Sequence, residues 1–240
     1  MKIPFIILPK YRKYIKIEKK YISKNLIIPI GCDCHPSYTL GKLNIRIHSL
    51  PFDWLNTDPI LGVQYVVDNL KTDFTNFLSN LTLNEKGNIV SQNYPYAEFL
   101  HEKDLIANEL TRIKFKRRIT RFLDFYKTND CFFLYNVTSE SLINSEKATF
   151  FIKSVEDFSK LIKANDKVFI YIRYDESLQE NEIYCNQVFD AIQKIDKVAT
   201  AKYIRSLKKY GGWGNEKEYF NLYKKLGIKL KLAFPRIYFK

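Results

Sequence analysis

Beyond residue 130 the apolar residues switch between two rhythms. "CFFLYNV" (131–137) and "KVFIYIRYD" (167–175) are short, nearly unbroken runs of aromatic and β-branched residues, the pattern of strands buried on both faces. "VEDFSKLIKAN" (155–165), "NEIYCNQVFDAIQKI" (181–195) and "EKEYFNLYKKLG" (216–227) instead repeat apolar residues at helical spacing. "VATAKYIRSL" and "KLKLAF" add two strands, and "GGWGN" (211–215) reads as a turn. Strands alternating with helices predict βαβ units, and so an α/β fold with a mostly parallel sheet and helices on both faces.

Upstream, "NLIIPIG" (25–31) has the apolar, Gly-terminated form of a buried strand, and "HPSYTLGKL" then reads as a helix with Pro36 in its first turn. "NTDPILGVQYVVDNLKTDFTNFLSNL" predicts a helix capped by Asp58 and opened by Pro59, with Ile60, Val63, Val66, Val67 and Leu70 on its buried face. "GNIVSQNYPYAEFLHEKD" lacks clean periodicity and predicts an irregular segment with one short strand. A long amphipathic helix is expected over 104–127, burying Leu105, Leu110, Ile113, Ile119, Phe122 and Leu123. Residues 1–25 form a basic, tyrosine-rich leader, one strand or helix packed on the body. The organisation expected is that leader followed by a single α/β domain over 26–240, in which 57–127 is a mainly helical insertion or cap.

Composition narrows the class. The chain has 240 residues, 46% of them hydrophobic, enough for a core that needs no covalent staples. No apolar run reaches the ~18 residues of a membrane span, and "KIPFIILP" is too short to be one. The four cysteines, Cys32, Cys34, Cys131 and Cys185, show no disulfide-framework spacing, which suits a reducing compartment. A cytoplasmic protein is expected, or one peripheral at the inner membrane surface. The net charge of +13 concentrates in "KYRKYIKIEKKYISK" (10–24) and "RIKFKRRITR" (112–121). The second of these is a candidate contact for anionic ligands. No recognition motif accompanies the charge, so specific nucleic-acid binding is not expected. No Gly-rich dinucleotide fingerprint occurs, and no cofactor is expected.

The chemistry gathers at "IPIGCDCHPSYTL" (29–41). A strand, a turn and a helix in succession place Cys34 at a helix N-terminus, where a thiolate is stabilised. A cysteine nucleophile also needs a base, and the chain has only three histidines: His35, His48 and His101. His35 is adjacent and its side chain should diverge, which leaves His48 and His101. A Cys2His2 metal site from Cys32, Cys34, His35 and one other histidine has the wrong spacing for a zinc knuckle, so no metal is expected.

These residues also carry a resemblance. Gly31, Cys34 and then "SLPFDW" (Ser49, Pro51, Phe52, Asp53, Trp54) are similar to the signature opening of a mostly bacterial family described as papain-like cysteine peptidases. "EFLHE" with His101, the basic "RRITRF" (117–122) and the strand "CFFLYNV" continue the likeness, which covers roughly 26–175. It implies a Cys–His peptidase with Cys34 as nucleophile and His101 as base. Asp53 or Glu102 would orient the imidazole, and Cys32 would be a bystander. Trp54, Ser49 and His35 are the candidates for substrate contact, the substrate being a peptide, acyl or glycan compound. Phe52 and Trp54 are expected buried on one side of an extended segment, with Asp53 on the other facing the site. Two other functions fit the pattern: a surface-glycan transferase on a Rossmann-like fold, and a binding module without catalysis.

Overall fold

The computed structural model describes residues 2–8, 11–177 and 182–239. Met1, Pro9 and Lys10 of the leader, and Asn181 at the start of one predicted helix, lie outside them. The leader is two antiparallel strands, β1 (Lys2–Leu8) and β2 (Tyr11–Ser23), rather than one element. Next come β3 (Leu26–Pro29) and α1 (His35–Lys42).

The region 57–127 is less helical than its sequence suggests. After β4 (Asn56–Thr57), α2 spans only Gly62–Lys71. Asp58 caps the turn that precedes α2, its Oδ1 accepting from the Ile60 and Leu61 amides at 2.8 and 3.3 Å. α2 stops where Asp73 and Phe74 adopt positive φ, 47° and 60°. β5 (Leu81–Leu83), β6 (Ile89–Ser91) and β7 (Tyr94–Glu98) then join β4 in an antiparallel sheet of order β4-β7-β6-β5. The hairpin signal was the polar "NEKGN": Asn84 Oδ1 accepts from the Lys86 and Asn88 amides, and Gly87 supplies φ +73°.

α3 (Glu109–Thr128) begins at Asn108, whose side chain caps the Leu110 and Thr111 amides. Its core residues are Phe115 and Phe122, seven apart, so Leu110 and Ile113 fall on the exposed side. Most cations of 112–121 are already engaged. Arg112 donates to the Leu105 and Ile106 carbonyls and Arg121 to the Ser49 carbonyl, Lys114 and Arg118 pair with Glu102, and Lys116 pairs with Glu109.

β8 (Cys131–Thr138), α4 (Ser145–Leu161), β9 (Lys167–Asp175), α5 (Glu182–Ile192) and β10 (Val198–Arg205) complete the βαβ series. A short α6 (Leu207–Tyr210), α7 (Tyr219–Lys225) and β11 (Leu230–Phe239) follow. The central sheet is parallel throughout, in the order β10-β9-β8-β3. Alternate residues of β9 feed separate cores. Val168, Ile170, Ile172 and Tyr174 pack with Phe151, Val155 and Phe158 of α4 and Cys185 and Val188 of α5. Phe169 and Tyr171 pack with Leu40 of α1 and Leu222 and Tyr223 of α7. β11 does not extend the parallel sheet but pairs antiparallel with β2, giving a separate sheet of order β1-β2-β11.

Candidate functional site

The turn after β3 is built for close packing. Gly31 has φ +119°, and a side-chain carbon there would lie 3.3 Å from the Tyr135 ring, so only glycine sits without strain. The Cys32 amide donates to Asn136 Oδ1 at 3.1 Å, and the Cys32 carbonyl accepts from the Thr57 amide at 2.7 Å. Asp33 Oδ1 accepts from the His35 amide at 2.9 Å and starts α1. Cys34 is the N-cap residue, Pro36 lies in the first turn, and the Tyr38 amide donates to the Cys34 carbonyl. The Cys34 Sγ lies 3.5 Å from Nε2 of His101, an exposed residue three positions beyond β7. Trp54 meets the His101 ring edge-on at a centroid distance of 5.8 Å.

Burial pushes the Cys34 thiol up to about 11, and the negative charges of Asp33 and Asp53 push in the same direction. The helix terminus was expected to lower it. Desolvation and two nearby carboxylates outweigh the one favourable backbone hydrogen bond. The resting thiol is therefore neutral near pH 7. Cys32, Cys131 and Cys185 are buried, and burial holds the Cys131 thiol at about 12.

Asp53 is fully buried and faces Arg46, not His101. Its Oδ2 accepts from Arg46 Nε at 3.1 Å and from the Leu50 amide at 3.0 Å, and it forms an ion pair with Arg46 Nη2. The segment "SLPFDW" is a tight turn over 51–54 and is not extended. The Asp53 amide donates back to the Leu50 carbonyl, so the expected alternation fails. Phe52 enters the aromatic core with Tyr65, Phe74, Phe77 and Phe122, whereas Trp54 is only half-buried. Arg46 lies over the Trp54 ring at 5.3 Å. Asp53, Arg46, Trp54 and His101 thus form a chain of contacts, with Arg46 and Trp54 between the carboxylate and the imidazole.

The other predicted site residues lie elsewhere. Glu102 pairs with Lys114 Nζ at 2.6 Å and Arg118 Nη1 at 3.6 Å, which turns it away from His101. His48 is exposed and packs on the Phe125 ring. Ser49 Oγ accepts from Arg46 Nη2 at 3.2 Å.

His35 is buried and unavailable to a substrate. Its Nε2 donates to the Trp213 carbonyl at 3.2 Å, so its Nδ1 accepts from the Tyr171 hydroxyl at 2.7 Å. Burial, reinforced by Arg173, lowers its pKa to about 4. An unfolded histidine protonates near pH 6.5, so the unfolded state binds the extra proton first as the pH falls. Stability is expected to drop by about 3 kcal/mol between pH 6.5 and 4 through this residue. Urea unfolding at pH 7 and pH 4 measures the drop, and His35→Asn should flatten it.

The sequence reading missed a second layer. Asp33 Oδ2 pairs with Arg173 Nη1 at 2.5 Å, and Arg173 is 6% exposed. Arg173 Nε lies 3.9 Å from Asp175, which Arg205 in turn binds. Asn136 Nδ2 donates to Asp33 Oδ1 at 3.3 Å, so Asn136 clamps both residues that precede the thiol. The available signal was a polar residue inside an otherwise apolar strand: Asn136 in "CFFLYNV" and Arg173 in "KVFIYIRYD". A groove of about 860 Å³ opens beside this turn, lined by Asp33, Thr57, Asp58, Tyr96, Glu98 and Arg173 among others. Among the described residues, no group of three His, Cys, Asp or Glu side chains could hold a metal ion.

Among curated proteins, Uncharacterized protein R408 of Acanthamoeba polyphaga mimivirus is 34% identical over 55 residues. That stretch is 23% of this chain and 25% of the viral protein, so the match spans a quarter of that relative's length. No solved structure matches the chain significantly. The family described as "Putative papain-like cysteine peptidase (DUF1796)" matches residues 25–202, most of the chain and all of the Cys34–His101 site, and the chain belongs to that family.

Proposed function

We propose that the protein is a thiol-dependent hydrolase or acyl transferase in which Cys34 is the nucleophile and His101 the general base. One observation carries the reading: Cys34 Sγ lies 3.5 Å from His101 Nε2 at the start of a helix that follows a sheet strand. With the thiol held near 11, the pair works by concerted proton transfer rather than as a preformed ion pair. His101 Nε2 takes the Sγ proton as sulfur bonds to the acyl carbon. The same nitrogen returns that proton to the departing amine or alcohol as its bond to carbon breaks. A water then attacks the thioester and gives its proton to His101, the C–S bond breaks, and the thiol recovers its proton. If the acceptor is an amine or alcohol instead of water, the same steps give transfer.

The resting-state chemistry can be tested without knowing the natural substrate. Supplied with p-nitrophenyl acetate and quenched in acid, the full chain is expected to carry an acetyl group on Cys34, located by peptide mapping. Iodoacetamide should block that acetylation by modifying Cys34 before Cys32, Cys131 or Cys185. Acetylation that persists in Cys34→Ala, or that spreads evenly over other residues, refutes the assignment.

A further inference from the structure

The sheet β1-β2-β11 lies wholly outside the matched residues 25–202. Its two faces differ in character. Cross-strand partners share a face, as do residues two apart. The pairings Ile3–Ile15–Phe239 and Ile17–Ile237 therefore set five large apolar side chains on one face. Lys16, Glu18, Arg236 and Tyr238 have the opposite parity, and they line a cavity with Tyr38, Lys42 and Trp54 of the body. The apolar face consequently points outward along this half of the sheet, whereas nearer Ser23 the strand turns Tyr21 onto Phe220 of the body. Ile3 is 39%, Ile237 45% and Phe239 72% exposed. Elsewhere on the same three strands Ile7, Ile22, Leu232 and Phe234 are exposed as well.

The strands are also strongly cationic, with eight Lys and Arg against one Glu across β1, β2 and β11. Lys19 shares the parity of the apolar face and is exposed, and Lys20 and Lys231, of the other parity, are exposed as well. An exposed apolar face with basic residues around it has two requirements: somewhere to bury hydrocarbon and negative charge alongside. A second copy would meet the first but would bring cation against cation. Nucleic acid would meet the second and leave the Ile and Phe side chains in water. An anionic bilayer surface meets both, because its headgroups attract the lysines and its interfacial zone accepts the apolar side chains.

We infer that the β1-β2-β11 sheet docks the protein on anionic lipid bilayers, with the face bearing Ile3, Ile237 and Phe239 toward the membrane. No helix of the described residues is long and apolar enough to cross a membrane, and docking of this kind requires none.

The test is co-sedimentation of the full chain with vesicles of phosphatidylcholine alone and of phosphatidylcholine mixed with phosphatidylglycerol. Binding to the mixed vesicles, weak binding to the neutral ones and release by high salt are expected. Lys19→Ala with Lys20→Ala should weaken partition about 30-fold. Ile237→Ser with Phe239→Ser should abolish it while leaving thermal unfolding unchanged. Should that pair unfold the protein, Phe239→Ser alone and the salt titration carry the test. Equal binding to both vesicles, no binding, or binding indifferent to the serine changes would overturn the inference. So would a dimer in light scattering that the serine pair dissolves, which assigns the face to a second copy. Displacement from vesicles by nucleic acid that binds the serine variant equally well would likewise overturn it.

Discussion

His101→Ala is expected to lower kcat/KM for a thiol-reactive ester by about 10²–10⁴-fold, the usual contribution of a positioned proton acceptor. Burial and two carboxylates hold the Cys34 proton near pH 11, so little thiolate exists at neutral pH to attack unaided. In the mechanism proposed above the imidazole removes that proton as the bond to carbon forms, and without it the residual rate would depend on the spontaneous thiolate fraction. The loss should therefore shrink as the pH rises towards 11, because alkali then supplies what His101 supplied. Stability should hardly change, since His101 is exposed and its contacts are with Cys34 and the Trp54 edge. Esterase rates of wild type and variant from pH 7 to 10, with thermal unfolding alongside, decide the matter. A uniform loss at every pH, or a matching fall in Tm, would make His101 a structural residue.

Asp33→Asn should have the largest effect on stability, a loss of about 3–5 kcal/mol, since it leaves a buried guanidinium without its carboxylate partner. Arg173 is 6% exposed, and its other acidic neighbour, Asp175, is 3.9 Å away and already held by Arg205. The side-chain carbonyl of the substituted residue could still accept from the His35 amide, so the start of α1 survives while the ion pair does not. Arg173→Met added to Asp33→Asn should restore part of the loss, because two neutral side chains leave no buried charge unmatched. Denaturant midpoints of the two single variants and the double variant measure the coupling. Additive losses would place the pair's contribution in solvent-screened contacts. The same substitution removes one of the charges that raise the Cys34 thiol, so alkylation of the folded Asp33→Asn protein should shift to lower pH.

The central sheet was legible because strands buried on both faces leave near-continuous apolar runs, and "KVFIYIRYD" spans β9 from end to end. The antiparallel sheet was obscured by short strands, and the pairing of β5 with β6 depends on the Asn84–Gly87 turn more than on periodicity. β11 looked like one more member of the parallel sheet, since a strand's sequence says little about which neighbour it will pair with. At the site, local grammar was enough to put Cys34 at the start of α1. What Asp53 and Glu102 face was not legible. Their partners Arg46, Lys114 and Arg118 are set by how the 51–54 turn and α3 pack, and any of several cations could have served. Half-buried Asp33 and buried Arg173 show the same limit, because the two charges lie 140 positions apart in the chain.

The thiol and the imidazole arrive from separate pieces of architecture. Cys34 is carried at the start of α1 by the turn after β3 of the parallel sheet, His101 by the loop leaving the antiparallel one, and the two are 67 positions apart. Neither sheet alone assembles a reactive pair. The site works as a coincidence detector for folding: a nascent or partly opened chain, in which only one sheet has formed, carries a cysteine held apart from its proton acceptor. The contact exists only once the two sheets are seated against each other, so a probe of the Cys34–His101 pair reports on tertiary assembly and not on either sheet alone.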